Sequence, residues 1–247
     1  MGRMTETVKV LLIINVIFFI GSQLLGDVAY EHFALWFVES PNFQFWQVIT
    51  HMFMHGGFMH ILFNMYALWA FGSPIEQMLG QKRFVFFYFS AGLGAALLHT
   101  LVGYYGYYED VQLLSEVGMN PSQIETFFNT GEYSTAILDT VSKADLRDMY
   151  TSFNQPAVGA SGAIYGILVA FGMMFPNVEL FLLFVPVPIK AKYFIPGIII
   201  LDLFSGVTGY SIFGGSIAHF AHVGGALFGF IMMYYWKKNQ FNDNRWY

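Results

Sequence analysis

Hydrophobic residues along this chain are gathered in long runs, separated by short polar stretches and one long one. A helix of about 20 apolar residues crosses the hydrocarbon core of a bilayer, and most of the runs approach that length. The pattern predicts six transmembrane helices, at about residues 8–25, 57–71, 84–104, 157–175, 193–209 and 216–236. We therefore predict an all-α polytopic membrane protein, a six-transmembrane-helix bundle in which residues 1–247 form a single domain.

The long polar stretch, residues 105–156, lies between the third and fourth runs and contains eight acidic and two basic residues. Asn120 followed by Pro121 is typical of a helix start, with asparagine as the cap and proline in the first turn. Apolar residues at helical spacing predict a further helix over residues 134–150. We expect a small aqueous helical insert here and not a second domain.

Two shorter segments are predicted to lie at the membrane surface. Residues 26–50 mix aromatic and acidic side chains, as interfacial segments do. Residues 178–189 contain two prolines and are too broken to span. The first apolar run follows Arg3 and Lys9 and precedes no small-residue cleavage site, so we expect a retained helix and not a signal peptide.

The composition agrees with a membrane protein, since 56% of the residues are hydrophobic, 11% are charged and the mean hydropathy is +0.52. The net charge of −5 and the lack of a basic patch argue against nucleic acid as a partner. The chain has no cysteine, which excludes disulfides, a thiolate nucleophile and cysteine-bound metal. We expect the lipid bilayer as its surroundings and no cofactor.

The basic residues predict the orientation. Six spans would put both termini on one side, which then carries nine of the eleven bases: Arg3, Lys9, Lys82, Arg83, Lys190, Lys192, Lys237, Lys238 and Arg245. Cytoplasmic loops are enriched in lysine and arginine, so the terminal side is predicted to be cytoplasmic and the insert to face outward. The predicted location is the cell (inner) membrane.

Polar side chains at membrane depth are costly and often functional. His60 and Asn64 lie one turn apart on the second span, Ser161 begins the fourth helix, and His222 lies about two turns into the sixth. With the predicted orientation all four lie toward the outer ends of their helices. We therefore expect them to meet at similar depth.

Small residues explain how the fourth and sixth helices could approach each other closely. Gly162 and Gly166 form a small-xxx-small pair on the fourth, and a matching face of the sixth carries Ala218, His222, Gly225 and Gly229. The Gly-Ala-Ser-Gly stretch alone favours helix packing over catalysis. Together with the facing histidine it predicts a hydrogen bond between Ser161 and His222.

A serine needs a base to become a nucleophile at neutral pH, and histidine is the usual one. No carboxylate is apparent near His222, so the sequence predicts a Ser161–His222 dyad and not a triad. His60, the Asn64 amide and the N–H of Ser161 at its helix start are candidate oxyanion donors. Tyr165, one turn after Ser161, could stack on the imidazole and orient it.

Three motifs, in order along the spans, resemble those of the rhomboid intramembrane serine proteases: His51-Met-Phe-Met-His55-Gly-Gly-Phe-Met-His60-Ile-Leu-Phe-Asn64, Gly159-Ala160-Ser161-Gly162 and Ala221-His222-Val-Gly-Gly225. The resemblance implies a six-helix fold and cleavage of other membrane proteins within or near their transmembrane helices. It implies Ser161 as nucleophile, His222 as base and Tyr165 as the residue stacked on the histidine. It also implies His60 and Asn64 at the oxyanion, supporting glycines at Gly159, Gly162 and Gly225, and no metal.

The chain departs from the family pattern in two places. Many rhomboids carry Trp-Arg in the first loop, where this chain has Trp46-Gln47, which puts one loop contact in question. Its insert, residues 105–156, is also longer than in the minimal members of the family.

Other polar residues have two interpretations. His51 and His55 are spaced like metal ligands, but no H-E-x-x-H pattern surrounds them, and capping and loop hydrogen bonds are favoured. His99 and His219 are interpreted as packed and hydrogen-bonded side chains. Asp202 lies in the fifth span, where a hydrogen-bonded carboxyl is favoured over a proton relay.

Three functions remain to be compared. The first is an intramembrane serine endopeptidase that cleaves transmembrane substrates near the outer membrane face. The second is a catalytically inactive rhomboid-like protein that binds membrane helices. The third is a small transporter lined by His60, Asn64, His222 and Asp202, although the repeat halves and broken helices typical of transporters are not apparent.

Overall fold

The computed structural model describes residues 3–182, 185–210 and 218–239, and these are mostly helical. The helices and strands follow in the order α1 (Glu6–Leu25), α2 (Asp27–Phe33), α3 (Gln47–Thr50), a 3₁₀ turn (His51–Phe53), α4 (Phe58–Ala67), a π-helical turn (Leu68–Gly72), α5 (Ser73–Leu79), α6 (Gln81–Glu116), α7 (Pro121–Thr130), a 3₁₀ turn (Thr135–Asp139), α8 (Lys143–Asn154), α9 (Ser161–Met174), β1 (Glu179–Leu182), β2 (Val185–Lys190), α10 (Ala191–Thr208) and α11 (His219–Asn239).

Helices α6, α9 and α11 pack closely at small residues, and α11 also places the ring of Phe228 against Gly94 of α6. A Cβ atom added to Gly225 of α11 would lie 1.9 Å from the carbonyl oxygen of Gly162 on α9, and one added to Gly229 would lie 2.6 Å from the Cα of Gly166. The predicted small-residue contact between the fourth and sixth spans is confirmed. The sequence analysis did not identify α6 as the third partner in this contact. Its Ala95 packs so closely against α9 that a Cβ atom added to Gly162 would lie 2.4 Å from the Ala95 Cβ.

Helix α1 is anchored by a buried acidic residue from a distant part of the chain. The segment after Gly72, which lies between the predicted second and third spans, continues as helix α5 and carries Glu76 inward. Its carboxylate accepts hydrogen bonds from the backbone N–H groups of Thr7 (3.1 Å) and Val8 (3.0 Å), and from the Thr5 hydroxyl. These N–H groups have no partner within the first turn of α1, so Glu76 caps that helix.

The insert is built on an extension of α6. This helix has 36 residues, a length of about 54 Å, and continues 12 residues beyond the predicted end of the third span at residue 104. The apolar side chains of α6, α7, α8 and the intervening turn form a separate core, which contains Leu114, Ile124, Phe127, Phe128, Ile137, Val141, Leu146, Met149 and Phe153. The insert therefore has its own centre of packing.

Capping residues set the helix boundaries in the insert. The predicted start at Asn120 is confirmed, because its side chain accepts from the Gln123 N–H while Gln123 accepts from the Asn120 N–H. The single helix predicted over residues 134–150 is wrong. Ser142 begins a new helix there by accepting from the Asp145 N–H, so a short 3₁₀ turn is followed by α8.

Residues 178–189, predicted not to span the membrane, contain most of a two-stranded antiparallel hairpin. The ladder pairs Glu179 with Lys190 and Leu180 with Ile189. Proline removes one donor but is tolerated on edge strands, and both strands of an isolated hairpin are edges. The prolines therefore exclude a transmembrane helix without excluding a strand.

Three of the described helices, α1, α6 and α10, have the length and hydropathy to cross a membrane, and α9 is apolar but has 14 residues. The predicted first, third and fifth spans are thus candidate membrane helices. The count of six stays a prediction. The predicted start of the sixth span, at residue 216, lies outside the described residues, and α11 is described from His219 onward.

Candidate active site

An extended segment before α9 places Ser161 at the first position of that helix. Leu35 and Ala157 exchange backbone hydrogen bonds of 2.9 and 2.8 Å, and the Gly159 N–H donates to the carbonyl oxygen of His51 at 2.9 Å. Gly159 has φ +129°, a conformation that favours glycine. Helix α9 therefore begins at Ser161, as predicted, although the apolar span predicted around it begins at residue 157.

Ser161 and His222 lie in hydrogen-bond contact, with 2.8 Å between the serine Oγ and the imidazole Nε2. The ring of Tyr165 stacks on the imidazole, with centroids 4.2 Å apart and planes inclined by 10°. The close glycine contacts between α9 and α11 bring the two side chains within reach. The expected contacts of these three residues are thus present.

A carboxylate completes this array, and the sequence-based statement that none lies near His222 is wrong. One oxygen of Asp202 is 3.2 Å from the Nδ1 of His222 and 2.6 Å from the Nδ1 of His219. The other oxygen accepts from the Tyr165 hydroxyl. Because α10 packs against both α9 and α11, it brings in a carboxylate that lies 20 positions before His222 in the chain. The expectation of a hydrogen-bonded Asp202 is confirmed.

His60 faces the serine from α4. Its Nδ1 accepts from the Gly56 N–H at 3.3 Å, so the neutral ring carries its hydrogen on Nε2. A Cβ added to Gly159 would lie 2.9 Å from that Nε2 and 3.5 Å from the Ser161 Oγ. The N–H of His60 is therefore close to the space beside the serine, and only glycine at position 159 leaves that space open.

Asn64 lies one turn further along α4 and is buried. Its amide nitrogen donates to the carbonyl oxygen of His60 at 2.8 Å. Among the described residues its Oδ1 has no hydrogen-bond partner. An amide nitrogen has two hydrogens, so one N–H of Asn64 remains for another acceptor.

These side chains line a cavity of 910 Å³. His60, Asn64, Ser161 and His222 lie on one side, and Trp36 from the first loop is also in contact with the cavity. Part of the remaining wall comes from α6 and from the end of the insert, through His99, Gly103, Gly106, Ser152, Gln155 and Pro156. The insert and the candidate active site therefore share one space.

His51 and His55 make the loop hydrogen bonds favoured by the sequence analysis. The Nδ1 of His51 lies 2.8 Å from the carbonyl oxygen of Gln47, and that of His55 lies 3.3 Å from the carbonyl oxygen of Phe53. Burial lowers the pKa of both histidines to about 4. Groups of three or more side chains suited to hold a metal do not occur in the part of the chain that the structure describes.

Gln47, where many rhomboids carry arginine, organises the first loop. Its buried amide accepts from the N–H groups of Trp36 (3.4 Å) and Gln44 (3.1 Å) and donates to the carbonyl oxygens of Glu31 and Asn42, both at 2.9 Å. Four backbone groups are thereby satisfied by one neutral side chain. Gln47 thus provides this loop with its own set of contacts.

Sequence reasoning missed two contributors to the site. Asp202 was noted as a polar residue in a span, but its partners were not identified, because they come from two other helices. Gly56 was noted only as part of a glycine pair, and nothing in the sequence indicates that its N–H fixes the tautomer of His60. A carboxylate inside an apolar run was the available signal for the first.

The geometry agrees with a family assignment made by comparison. The rhomboid domain family model matches residues 42–239, well over half of the chain. The chain therefore belongs to the rhomboid family, whose members are generally intramembrane serine proteases.

Several curated relatives are similar over most of this chain. The presenilin-associated rhomboid-like protein, mitochondrial, is 30% identical in Mus musculus and 29% identical in Homo sapiens, over 199 residues in each case. These residues are 78% of this chain and 40% of each relative. Rhomboid protein 1, mitochondrial, of Saccharomyces cerevisiae is 25% identical over 191 residues, 77% of this chain and 42% of that protein. The chain thus matches less than half of the length of these relatives.

Proposed function

We propose that this protein is an intramembrane serine endopeptidase that uses Ser161 and His222 to cleave transmembrane substrates. The observation that carries the proposal is the 2.8 Å contact between the Ser161 Oγ and the His222 Nε2, with the imidazole held against Tyr165. Membership of the rhomboid family supports it independently.

In the proposed acylation step, the Ser161 Oγ attacks the carbonyl carbon of a substrate peptide bond and its proton passes to the His222 Nε2. The peptide C–N bond then breaks, and the same proton passes from Nε2 to the departing amine. Water later attacks the acyl-serine ester, with His222 again as the base. The products are two peptides, and Ser161 and His222 return to their original protonation states.

The negative oxygen formed during the attack needs hydrogen-bond donors. The His60 Nε2–H is the best-placed side chain, because its other nitrogen is occupied by Gly56 and its donor faces the space beside Ser161. Asn64 offers its remaining amide hydrogen. The Ser161 N–H, at the start of α9, is unpaired within the helix and completes the proposed site.

Hydrolysis in a membrane also needs water at the serine. Helix α9 is about 21 Å long, shorter than the ~30 Å hydrocarbon core, so a serine at its first position lies below the membrane surface. The 910 Å³ cavity around Ser161 and His222 provides space for water. This supports cleavage a short distance below one membrane face.

Unwinding should govern the choice of substrate. A peptide carbonyl within a transmembrane helix is already hydrogen-bonded and must be released before it reaches Ser161. Glycine lowers the cost of leaving the helix by about 1 kcal/mol and proline by about 3 kcal/mol relative to alanine. We propose substrates with such residues near the outer end of a single transmembrane helix.

We also propose that both termini are cytoplasmic and that the site opens outward, because nine of eleven bases fall on the terminal side. The membrane is proposed as the cell membrane, whereas the relatives named above are mitochondrial proteins. A tag in the insert should be labelled from outside intact cells, and a tag after Tyr247 should not. The opposite labelling would overturn the orientation.

The deciding experiment incubates the purified protein in detergent with a model transmembrane substrate and a serine-directed phosphonate probe. The intact protein should cleave the substrate and be labelled at Ser161, whereas Ser161→Ala should do neither. Ser115→Ala, an exposed serine at the end of α6, is the matched control and should behave like the intact protein. Cleavage by Ser161→Ala would refute the proposal, and an intact protein that binds substrate without cleavage or labelling would be an inactive rhomboid-like protein.

A further inference from the structure

Three donors from two helices converge on the carboxylate of Asp202. His219 and His222 of α11 each direct Nδ1 at one oxygen, at 2.6 and 3.2 Å, and the Tyr165 hydroxyl of α9 meets the other. The residue is 8% exposed. A buried carboxylate is costly unless several hydrogen bonds compensate it, and this one has three. Its placement is therefore specific.

The contacts determine the tautomer of His222. An ionised carboxylate accepts hydrogen bonds and donates none, so the Nδ1 that faces Asp202 must carry a hydrogen. The neutral ring then has a free lone pair on Nε2, and Nε2 is the atom 2.8 Å from the Ser161 Oγ. The opposite tautomer would direct an N–H at the serine and could not accept its proton.

We propose that Asp202 is a positioning residue, which fixes His222 in the tautomer that can act as a base and stabilises the imidazolium formed during the reaction. This inference rests on the function proposed above and extends it from a Ser161–His222 dyad to a Ser161–His222–Asp202 array. Asp202 touches neither substrate nor the reacting atoms and acts through His222 alone.

No proton needs to pass to Asp202 when Ser161 attacks the substrate. The Ser161 proton moves to His222 Nε2 as the Oγ–C bond forms, and the Nδ1–H stays on the ring and keeps its hydrogen bond to the carboxylate. The imidazolium then carries one positive charge next to one negative charge. When the peptide C–N bond breaks, the Nε2 proton leaves with the amine and the original tautomer is restored.

His219 and Tyr165 hold Asp202 in place. The 2.6 Å bond from His219 and the bond from Tyr165 orient the carboxylate, so its position does not depend on His222 alone. Among the described residues, His60 of α4 and His99 of α6 are close enough to His222 to interact with its charge, and neither makes a hydrogen bond to Asp202. The array is thus one carboxylate of α10 shared among three donors of α9 and α11.

The first test is Asp202→Asn, which preserves shape and removes the charge. The introduced amide can donate to Nδ1, which favours the wrong tautomer, so we expect a roughly hundred- to ten-thousand-fold lower kcat with KM within about threefold. The acidic limb of the kcat/KM profile should also move to lower pH, because the imidazolium loses its counter-charge. Asp148→Asn, the same change at an exposed site in the insert, is the control and should leave kcat, KM and the pH profile unchanged.

Two further variants separate positioning from folding. Tyr165→Phe keeps the ring that stacks on His222 but removes one donor to Asp202, and His219→Gln removes another. Each should lower kcat by less than Asp202→Asn does, because the carboxylate remains next to His222. If instead Asp202→Asn kept the kcat and pH profile of the intact protein, or only lowered its melting temperature, Asp202 would be a structural residue.

A measurement on the intact protein covers the case in which Asp202→Asn fails to fold. The ¹⁵N chemical shifts of histidine-labelled protein, with His222→Ala used for assignment, should show hydrogen on Nδ1 of His222 and none on Nε2 at neutral pH. Hydrogen on Nε2 would overturn the inference. Cleavage of substrate by Ser161→Ala would refute the proposed function. It would not refute the tautomer assigned to His222, because the chemical shifts report the tautomer without catalysis.

Discussion

The helix bundle and the insert of this protein pack by different means. Where α9 meets α11, glycine backbones touch directly, and the space for a single added methyl group at Gly225 is occupied by the carbonyl oxygen of Gly162. In the insert, large rings fill the interior, as where Phe128 and Phe153 lie with centroids 4.9 Å apart. The interface between α9 and α11 is organised by absent side chains and the insert by bulky ones, although the bundle also buries large rings elsewhere, such as Phe84, Phe87 and Tyr88.

The surroundings account for this difference. Lipid is as apolar as a leucine side chain, so membrane helices gain little from hiding hydrophobic groups and associate through close van der Waals contact. The insert is predicted to be in water, where burying aromatic rings stabilises it directly. The close contact in the bundle also sets the 2.8 Å distance between Ser161 and His222, so packing and chemistry depend on the same glycines.

Gly225→Ala should have the largest effect. The added methyl group would lie 1.9 Å from the Gly162 carbonyl oxygen, a backbone atom that cannot rotate away, so α9 and α11 must separate. We expect destabilisation of about 3 kcal/mol or more and loss of cleavage and of labelling at Ser161. Melting in detergent and phosphonate labelling measure both.

Gly21→Ala is the matched control for that variant. Gly21 lies in α1, and a Cβ there meets no atom within 4 Å. This substitution should be neutral or slightly stabilising, because alanine favours helix by about 1 kcal/mol over glycine. Equal losses in the two variants would show that the close contact at Gly225 is not what stabilises the bundle.

The pH dependence of stability should differ between the two regions. Burial lowers the pKa of His51 from 6.5 to about 4, so the unfolded chain binds the proton more readily. The stabilisation is complete above pH 6.5 and is lost as pH falls toward 4, by up to roughly 3 kcal/mol for a shift of this size. The insert contains no histidine, and burial raises the pKa of its Asp110 to about 6, so the stability of the insert should not fall, and should rise slightly, between pH 7.5 and 5.5.

Melting in detergent over that pH range tests this, with limited proteolysis to follow the insert. His51→Gln should make the melting temperature of the bundle less dependent on pH. His32→Gln, at an exposed histidine in α2, should not. An unchanged slope in His51→Gln would mean that other groups cause the loss of stability in acid.

Asn120→Ala should have the smallest effect and should be confined to the insert. It removes one half of the capping box at the start of α7, which costs about 1 kcal/mol. Proteolytic cleavage within α7 should become faster, while labelling of Ser161 stays as in the intact protein. A similar loss of labelling would show that the insert and the bundle unfold together.

The helices of the bundle could be predicted because long apolar runs and small-xxx-small spacing depend on residues close in sequence. Their ends were less predictable. Helix α9 starts four residues later than its apolar run, since Ala157 pairs with Leu35 and Gly159 takes a left-handed conformation. Pairing with a segment more than 100 residues away has no local signal. The extension of α6 into the insert was not foreseen, because it is stabilised by packing against α7 and α8 and not by a continuous apolar run.

The sequence by itself determined the apolar spans, the capping at Asn120, the facing glycines of α9 and α11 and the pairing of Ser161 with His222. Each follows from a residue type at a fixed helical spacing. Only the tertiary structure decided that Asp202 meets His222, that Gly56 sets the His60 tautomer and that Glu76 caps α1. These contacts depend on how helices distant in sequence are placed against one another, and a hydrogen bond forms or fails over a difference of about 1 Å.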